Sequence, residues 1–243
     1  MQGRPLHVLK DHAHWVTTLA LNTDFVLRTG PFDRTGKKPV NDEEGTHIFL
    51  RFPYITPLTL SLAKRLAKVR YDAVLRNTPE LLISGSDDHT LFLWAPFGAL
   101  PSPSPDTDSG NTSSKSKPIA RLTGHQRQIS HVAFSPDGRL AASGSWDASV
   151  RLWDCSPASS SSTAKMGKFV ATLRGHVGAV YRLAWSADSR MVVSASKDST
   201  LKIWDLKTYK LKTDLPGHTD EVYCVDFVAD KVVSGGRDKV VKM

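Results

Sequence analysis

Short segments in which apolar and polar residues alternate recur along this chain, separated by turns rich in Gly, Pro, Asp and Ser. A period of two marks a strand with one face buried. Trp15 to Leu21 has it, with Val, Thr and Leu prominent; Val132–Phe134, Leu183–Trp185 and Val222–Phe227 are expected to be strands at the matching places of the later units. One stretch follows a period near 3.6 instead. Leu62, Leu66, Val69 and Ala73, with Ser61 as N-cap, predict a helix. The second strand of the first unit has two candidates, Phe25–Thr29 and Leu81–Ser84. The later one is favoured because it runs directly into a third strand at Leu91-Phe92-Leu93-Trp94, which makes residues 30–79 an insertion.

The units share an internal spacing. Gly124-His125 leads to Ser143, Asp147 and Trp153-Asp154, and Gly175-His176 leads to Ser194, Asp198 and Trp204-Asp205, with 28 positions from His to Trp in both. Another copy runs from Gly217-His218 to Ser234 and Asp238, and an earlier one from His12 to Ser84, Asp88 and Trp94 across the insertion. A Gly-His opening and a Trp-Asp close, at a period of about 40–45 residues, resemble the WD40 repeat, which folds as one four-stranded propeller blade. The fold implied is all-β: a WD40 β-propeller of about four consecutive blades with one helical insertion. In such repeats the segment before Gly-His is the outer strand of the preceding blade. Residues 1–10 then supply an outer strand, 11–96 a blade with its insertion, 119–154 a blade core, 167–209 a blade and 210–243 a last, incomplete blade. The Asp147-to-Trp153 offset places the next Trp at position 244, just past Met243. The expected shape is an open arc that self-associates through apolar blade faces.

Residues 97–118 and 155–166 are rich in Ser, Pro, Gly and Asp and read as flexible loops on one face of the propeller. Ser102-Pro103 and Ser104-Pro105 are candidate phosphorylation sites. Residues 45–61 are apolar and aromatic within an otherwise polar insertion, and two readings stay open: translated intron sequence, or a loop packed on the propeller.

Composition narrows the classes further. With 40% hydrophobic and 23% charged residues, the chain is ordinary globular material. No apolar run reaches the length of a membrane span. Two cysteines without metal-ligand spacing fit a reducing compartment. The net charge of +8 favours acidic partners, nucleic acid among them. Lys64, Arg65, Lys68 and Arg76 fall largely on one side of the expected helix, either as a phosphate or rRNA contact or as a solvated face.

Each unit offers Ser, His and Asp, the residue types of an acyl-transfer triad. A catalytic site is built once, however, and this trio recurs at fixed offsets, with no GxSxG elbow around any of the serines. No phosphate-binding loop, dinucleotide fingerprint or HExxH occurs, and His12 with His14 makes no convincing metal pair. The residues predict no enzyme, no cofactor and no small-molecule substrate. The WD-repeat resemblance implies instead that His, Ser, Asp and Trp form a buried hydrogen-bonded chain in each blade.

Residues outside the repeat pattern point further. His12-Ala13-His14-Trp15-Val16, Phe25-Val26-Leu27-Arg28-Thr29-Gly30, Phe32-Asp33-Arg34-Thr35-Gly36 and the run from Asp214 to Tyr223 resemble the Notchless family of WD-repeat ribosome-assembly proteins. The resemblance implies an eight-bladed propeller, of which this chain is the C-terminal half. It also implies action on the large-subunit pre-ribosome, with assembly factors and rRNA as partners, and residence in the nucleus and nucleolus. The family reaches a Midasin-type AAA ATPase through an N-terminal ubiquitin-like domain that these residues do not contain. The alternative is a general interaction propeller, such as a ubiquitin-ligase substrate receptor or a signalling adaptor.

Overall fold

A computed structural model describes residues 8–29, 57–96, 117–157, 166–228 and 231–243. It contains four antiparallel sheets in chain order. The first comprises β1 (Val16–Leu21), β2 (Leu82–Ser86), β3 (Leu91–Trp94) and β4 (Ala120–Leu122). The second comprises β5 (Ile129–Phe134), β6 (Leu140–Ser145), β7 (Ser149–Asp154) and β8 (Lys168–Arg174). The third comprises β9 (Val180–Trp185), β10 (Met191–Ser196), β11 (Thr200–Asp205) and β12 (Lys210–Pro216). The fourth has β13 (Val222–Val228), β14 (Lys231–Gly236) and β15 (Val241–Lys242). Each sheet is an up-and-down meander, and the first strands β1, β5, β9 and β13 lie side by side in series. These are consecutive blades of a WD40 propeller.

The sheets do not coincide with the repeats. Ala120–Leu122, Lys168–Arg174 and Lys210–Pro216 each close the sheet before them, so the divisions 119–154, 167–209 and 210–243 cut across blades. Pairing a blade's third strand with the strand that opens the next repeat links neighbours through the backbone and covers an otherwise unpaired edge. Residues 8–10 form no strand, and 1–7 lie outside the described residues.

The core sits between blades. Leu81, Ile83, Leu91 and Leu93 of the first meet Ile129, Val132 and Phe134 of the second, and further clusters fill the next two interfaces. Small residues on the second strands set the spacing. A Cβ on Gly144 would stand 2.9 Å from Val180 Cγ1, and one on Gly85 2.8 Å from Ile129 Cγ2. Gly144→Val is therefore expected to cost about 1–3 kcal/mol by overpacking, read as a lower urea midpoint. Hydroxyls bind blade to blade as well: Thr17 Oγ1 donates to the Ile129 carbonyl and Ser130 Oγ to the Val180 carbonyl, both at 2.5 Å.

His131 lies at the next such contact, where its Nδ1 accepts the Leu183 amide at 3.4 Å. That bond requires an unprotonated Nδ1. Burial, with Arg182 adding repulsion, pushes the imidazole down to about 4. A folded pKa below the unfolded value means that this stabilisation is complete above about pH 6.5 and is lost as pH falls toward 4, with a slope of up to about 1.4 kcal/mol per pH unit. His131→Gln keeps an acceptor without a titrating ring. Its urea midpoint is expected to vary less between pH 7 and 4.5 than that of the parent.

The insertion differs from its sequence reading. Phe25–Thr29 is no strand but part of a short helix, α1 (Asp24–Thr29), and β2 pairs with β1. The chain leaves the blade after Asn22 and returns at Leu81, wider than the 30–79 expected. Asn22 N–H donates to the Leu81 carbonyl (3.1 Å) and Leu81 N–H to Asn22 Oδ1 (2.9 Å), so the excursion is pinched shut at its base. The long helix, α2 (Pro57–Asn77), begins four residues before Ser61, which is interior to it rather than its N-cap. Its inward side is also displaced: Val69 is 64% exposed, while Leu66, Arg70, Tyr71 and Val74 are half-buried. Of the 66/69/73 stripe, Leu66 faces inward but Val69 and Ala73 do not, and Tyr71, whose hydroxyl donates to Glu80 at 3.1 Å, ties the helix to the base of the insertion. Residues 45–56, both Ser-Pro pairs and most of the two expected flexible loops lie outside the described residues. Cys155, placed in one of those loops, is instead fully buried, with its amide on the Arg139 carbonyl at 2.8 Å. Burial pushes its thiol up to about 12.

Candidate functional site

The blade geometry brings the repeated polar residues together. A loop entering each blade carries the His, the second strand carries the Ser, the following turn carries the Asp, and the third strand carries the Trp. In the second blade His125 Nδ1 lies 2.9 Å from Asp147 Oδ2 and His125 Nε2 2.8 Å from Ser143 Oγ, while Trp153 Nε1 donates to Ser143 Oγ at 2.9 Å. In the third, His176, Asp198, Ser194 and Trp204 repeat this at 2.8, 2.7 and 2.8 Å. In the first, His12, Asp88, Ser84 and Trp94 do so at 3.0, 2.7 and 2.9 Å. In the fourth, His218 joins Asp238 and Ser234 at 2.7 and 2.8 Å.

The indole N–H only donates, so Ser143 Oγ accepts from Trp153, and the Asp147 carboxylate only accepts, so His125 Nδ1–H donates to it. With Nε2 bare, the same ring accepts the Ser143 hydroxyl. In the third blade, burial lowers the His176 pKa even though Asp198 opposes it.

Asp88, Asp147 and Asp198 each accept four hydrogens. Asp147 Oδ2 also accepts the Gln126 amide at 3.0 Å, and Oδ1 accepts the Ser149 amide and hydroxyl at 3.0 and 2.6 Å. Burial pushes the Asp147 carboxyl up, but the hydrogen bonds from His125, Ser149 and Gln126 outweigh it, leaving the group well below the usual carboxylate range. The same balance depresses Asp88, and it brings Asp198 to about 2. The residue after each Asp is left-handed: His89, Ala148, Ser199 and Lys239 have φ of 66, 62, 67 and 62°. The Asp side chain bonded two residues ahead holds that turn.

The order Ser–His–Asp is that of a hydrolase triad, and access separates the two. Ser143 and Ser194 are fully buried, and each oxygen is occupied by an indole N–H. No carbonyl substrate reaches either oxygen.

The WD domain, G-beta repeat family model matches residues 116–154, 167–205 and 209–243. Ribosome assembly protein 4 of Saccharomyces cerevisiae is 45% identical over 174 residues, which is 70% of this chain and 25% of that protein. The Notchless protein homolog of Arabidopsis thaliana is 46% identical over 148 residues, 60% of this chain and 22% of its own. Protein Notchless of Drosophila melanogaster is 46% identical over 129 residues, 53% and 20%. The chain belongs to the Notchless family of WD-repeat proteins. It spans a fifth to a quarter of the length of these relatives.

Within this Notchless-family chain the network is wider than the four residue types singled out from sequence. Ser86, Ser145 and Ser196 are fully buried and accept the amides of Asp88, Asp147 and Asp198. Thr90, Ser149 and Thr200 donate hydroxyls to the same aspartates. The repeated Ser-x-Asp-x-Ser/Thr spacing was a sequence signal for both. The fourth blade has Gly236 and Val240 at those positions, so its network is thinner. Lys64, Arg65, Lys68 and Arg76 are exposed along the outward side of α2. They are not brought near the buried networks. A second cluster, around Arg151 and Trp146, was not found from sequence because its members come from different repeats.

Proposed function

We propose that this chain is a non-catalytic propeller segment acting in ribosome assembly, as a scaffold within the large-subunit pre-ribosome in the nucleus and nucleolus. The observation that carries the non-catalytic part is the burial and saturation of every complete His–Ser–Asp–Trp set. The ribosome-assembly part draws on the name of the yeast relative, which is 45% identical over most of this chain. Assembly factors and rRNA are the partners in this reading, with an eight-bladed ring as the complete propeller. Lys64, Arg65, Lys68 and Arg76 on α2 are an exposed basic face suited to phosphate.

Sucrose-gradient sedimentation of the tagged protein from cell extract tests the reading. It is expected to migrate with large-subunit precursors, and to leave those fractions when precursor synthesis is stopped. Migration only in light fractions, together with a ubiquitin ligase or a membrane receptor, would favour the interaction-adaptor reading instead.

A further inference from the structure

Between the second and third blades lies a groove of about 1040 Å3. Arg127, Arg151 and Arg174 line its second-blade side and Lys197 its third-blade side, with Trp146 between them. A comparison within the chain shows what is unusual here. Arg151 on β7 pairs across the sheet with Thr172, and Lys202, at the matching place on β11, pairs with Asp214. Lys202 Nζ meets Asp214 Oδ2 at 2.7 Å. Arg151 has no such carboxylate opposite it, and its buried Nε has no hydrogen-bond partner among the described residues. Its guanidinium is held over the Phe169 ring at 5.6 Å, beside Arg174, which adds repulsion.

Asp147 attracts Arg151 through space, but no carboxylate makes an ion pair or hydrogen bond with it among the described residues. Asp147 and Asp198 border the groove, yet the oxygens of each already accept amide, hydroxyl and imidazole hydrogens. Lys197 is shared with Glu221 at 3.9 Å. The groove therefore gathers four cations, of which Arg127, Arg151 and Arg174 make no ion pair among the described residues. Trp146 is 42% exposed, and the edge-to-face Tyr181 ring, 6.1 Å away, fixes its plane. An exposed, braced indole beside unpaired guanidinium groups is the pairing that holds unstacked nucleotides, with the ring under a base and the cations on the backbone. An acidic peptide would need an apolar pocket for an anchoring side chain. Apart from Trp146, its apolar side chains are only Ala148, Val177 and Ala179.

We propose that this inter-blade groove binds single-stranded RNA, with backbone phosphate on Arg151 and Arg174 and a base on Trp146. The inference stands on the groove and not on the ribosome-assembly reading. Fluorescence anisotropy of the full chain with a 5′-labelled, mixed-sequence, twelve-nucleotide RNA tests it. Trp146→Ala is expected to weaken binding about five- to a hundredfold through the loss of stacking. Arg127→Gln with Arg174→Gln is expected to weaken it and to reduce the salt slope by about 0.7 for each phosphate that is no longer neutralised. Both changes are on exposed side chains, so they keep the test valid if Arg151→Met fails to fold, and unchanged melting curves verify this. Unaltered RNA affinity in the Trp146→Ala and Arg127→Gln/Arg174→Gln proteins overturns the proposal. So does loss confined to a Lys64→Gln/Arg65→Gln/Lys68→Gln protein, or displacement of the RNA by a phosphoserine peptide at lower concentration than by unlabelled RNA.

Discussion

Trp153→Ala is expected to lower the stability of the chain by about 3–5 kcal/mol, the range for removing a large buried aromatic side chain. Trp153 packs among Ala141, Cys155 and the leucines of the first interface. Its removal opens a cavity between two blades that backbone pairing on both sides keeps apart. It also takes the indole N–H from Ser143, whose lone pair is then left buried without a donor. Trp153→Phe separates the two contributions: it refills most of the cavity and restores no donor, so a smaller loss is expected. Guanidinium midpoints for the three proteins measure this. A midpoint for Trp153→Ala equal to the parent's would show that the second blade does not contribute to cooperative stability.

Asp147→Ala removes the acceptor of four hydrogens at once: His125 Nδ1–H, the Gln126 amide, and the Ser149 amide and hydroxyl. Water reaches the exposed Gln126, so the buried donors set the cost. At about 1–3 kcal/mol for each of the three buried orphans, a loss of about 3 kcal/mol or more is expected. Asp147→Asn is expected to rescue little. With its carboxamide oxygen on Ser149 it presents an NH2 to His125 Nδ1–H, donor against donor. Turning the tautomer would reverse the bond with Ser143, whose oxygen would then accept from both His125 and Trp153 and whose proton would need another acceptor. The pH dependence has a definite sign. The Asp147 pKa is lower in the fold than in the unfolded chain, so its stabilisation is present above about pH 4 and is lost as pH falls through the folded value. Asp198, at about 2, behaves in the same way. Denaturation midpoints of the parent should therefore drop from pH 4 to 2, and Asp147→Ala should flatten part of that drop. An unchanged acid profile in the variant would refute the assignment.

The sequence by itself determined the elements that depend on local pattern. The strand at Val16–Leu21 is read from alternation. The blade count follows from the His-to-Trp spacing, because a repeat that cannot bury its own apolar face has to stack on a copy of itself. Choosing Leu81–Ser84 over Phe25–Thr29 also needed only sequence, since only the former runs on into a third strand. The tertiary structure decided what depends on residues far apart in the chain. Which side of α2 faces inward is marked by Tyr71 reaching Glu80 and only in part by the apolar stripe. Cys155 looked like part of a polar loop, but the neighbouring blade covers it. The proton order in each network required distances, because the same three residue types also spell a nucleophilic triad. Arg151 appears in sequence as an ordinary strand cation. Only the cross-strand pairing, which gives Lys202 an aspartate and Arg151 a threonine, shows that one charge is compensated within its blade and the other faces a groove between blades.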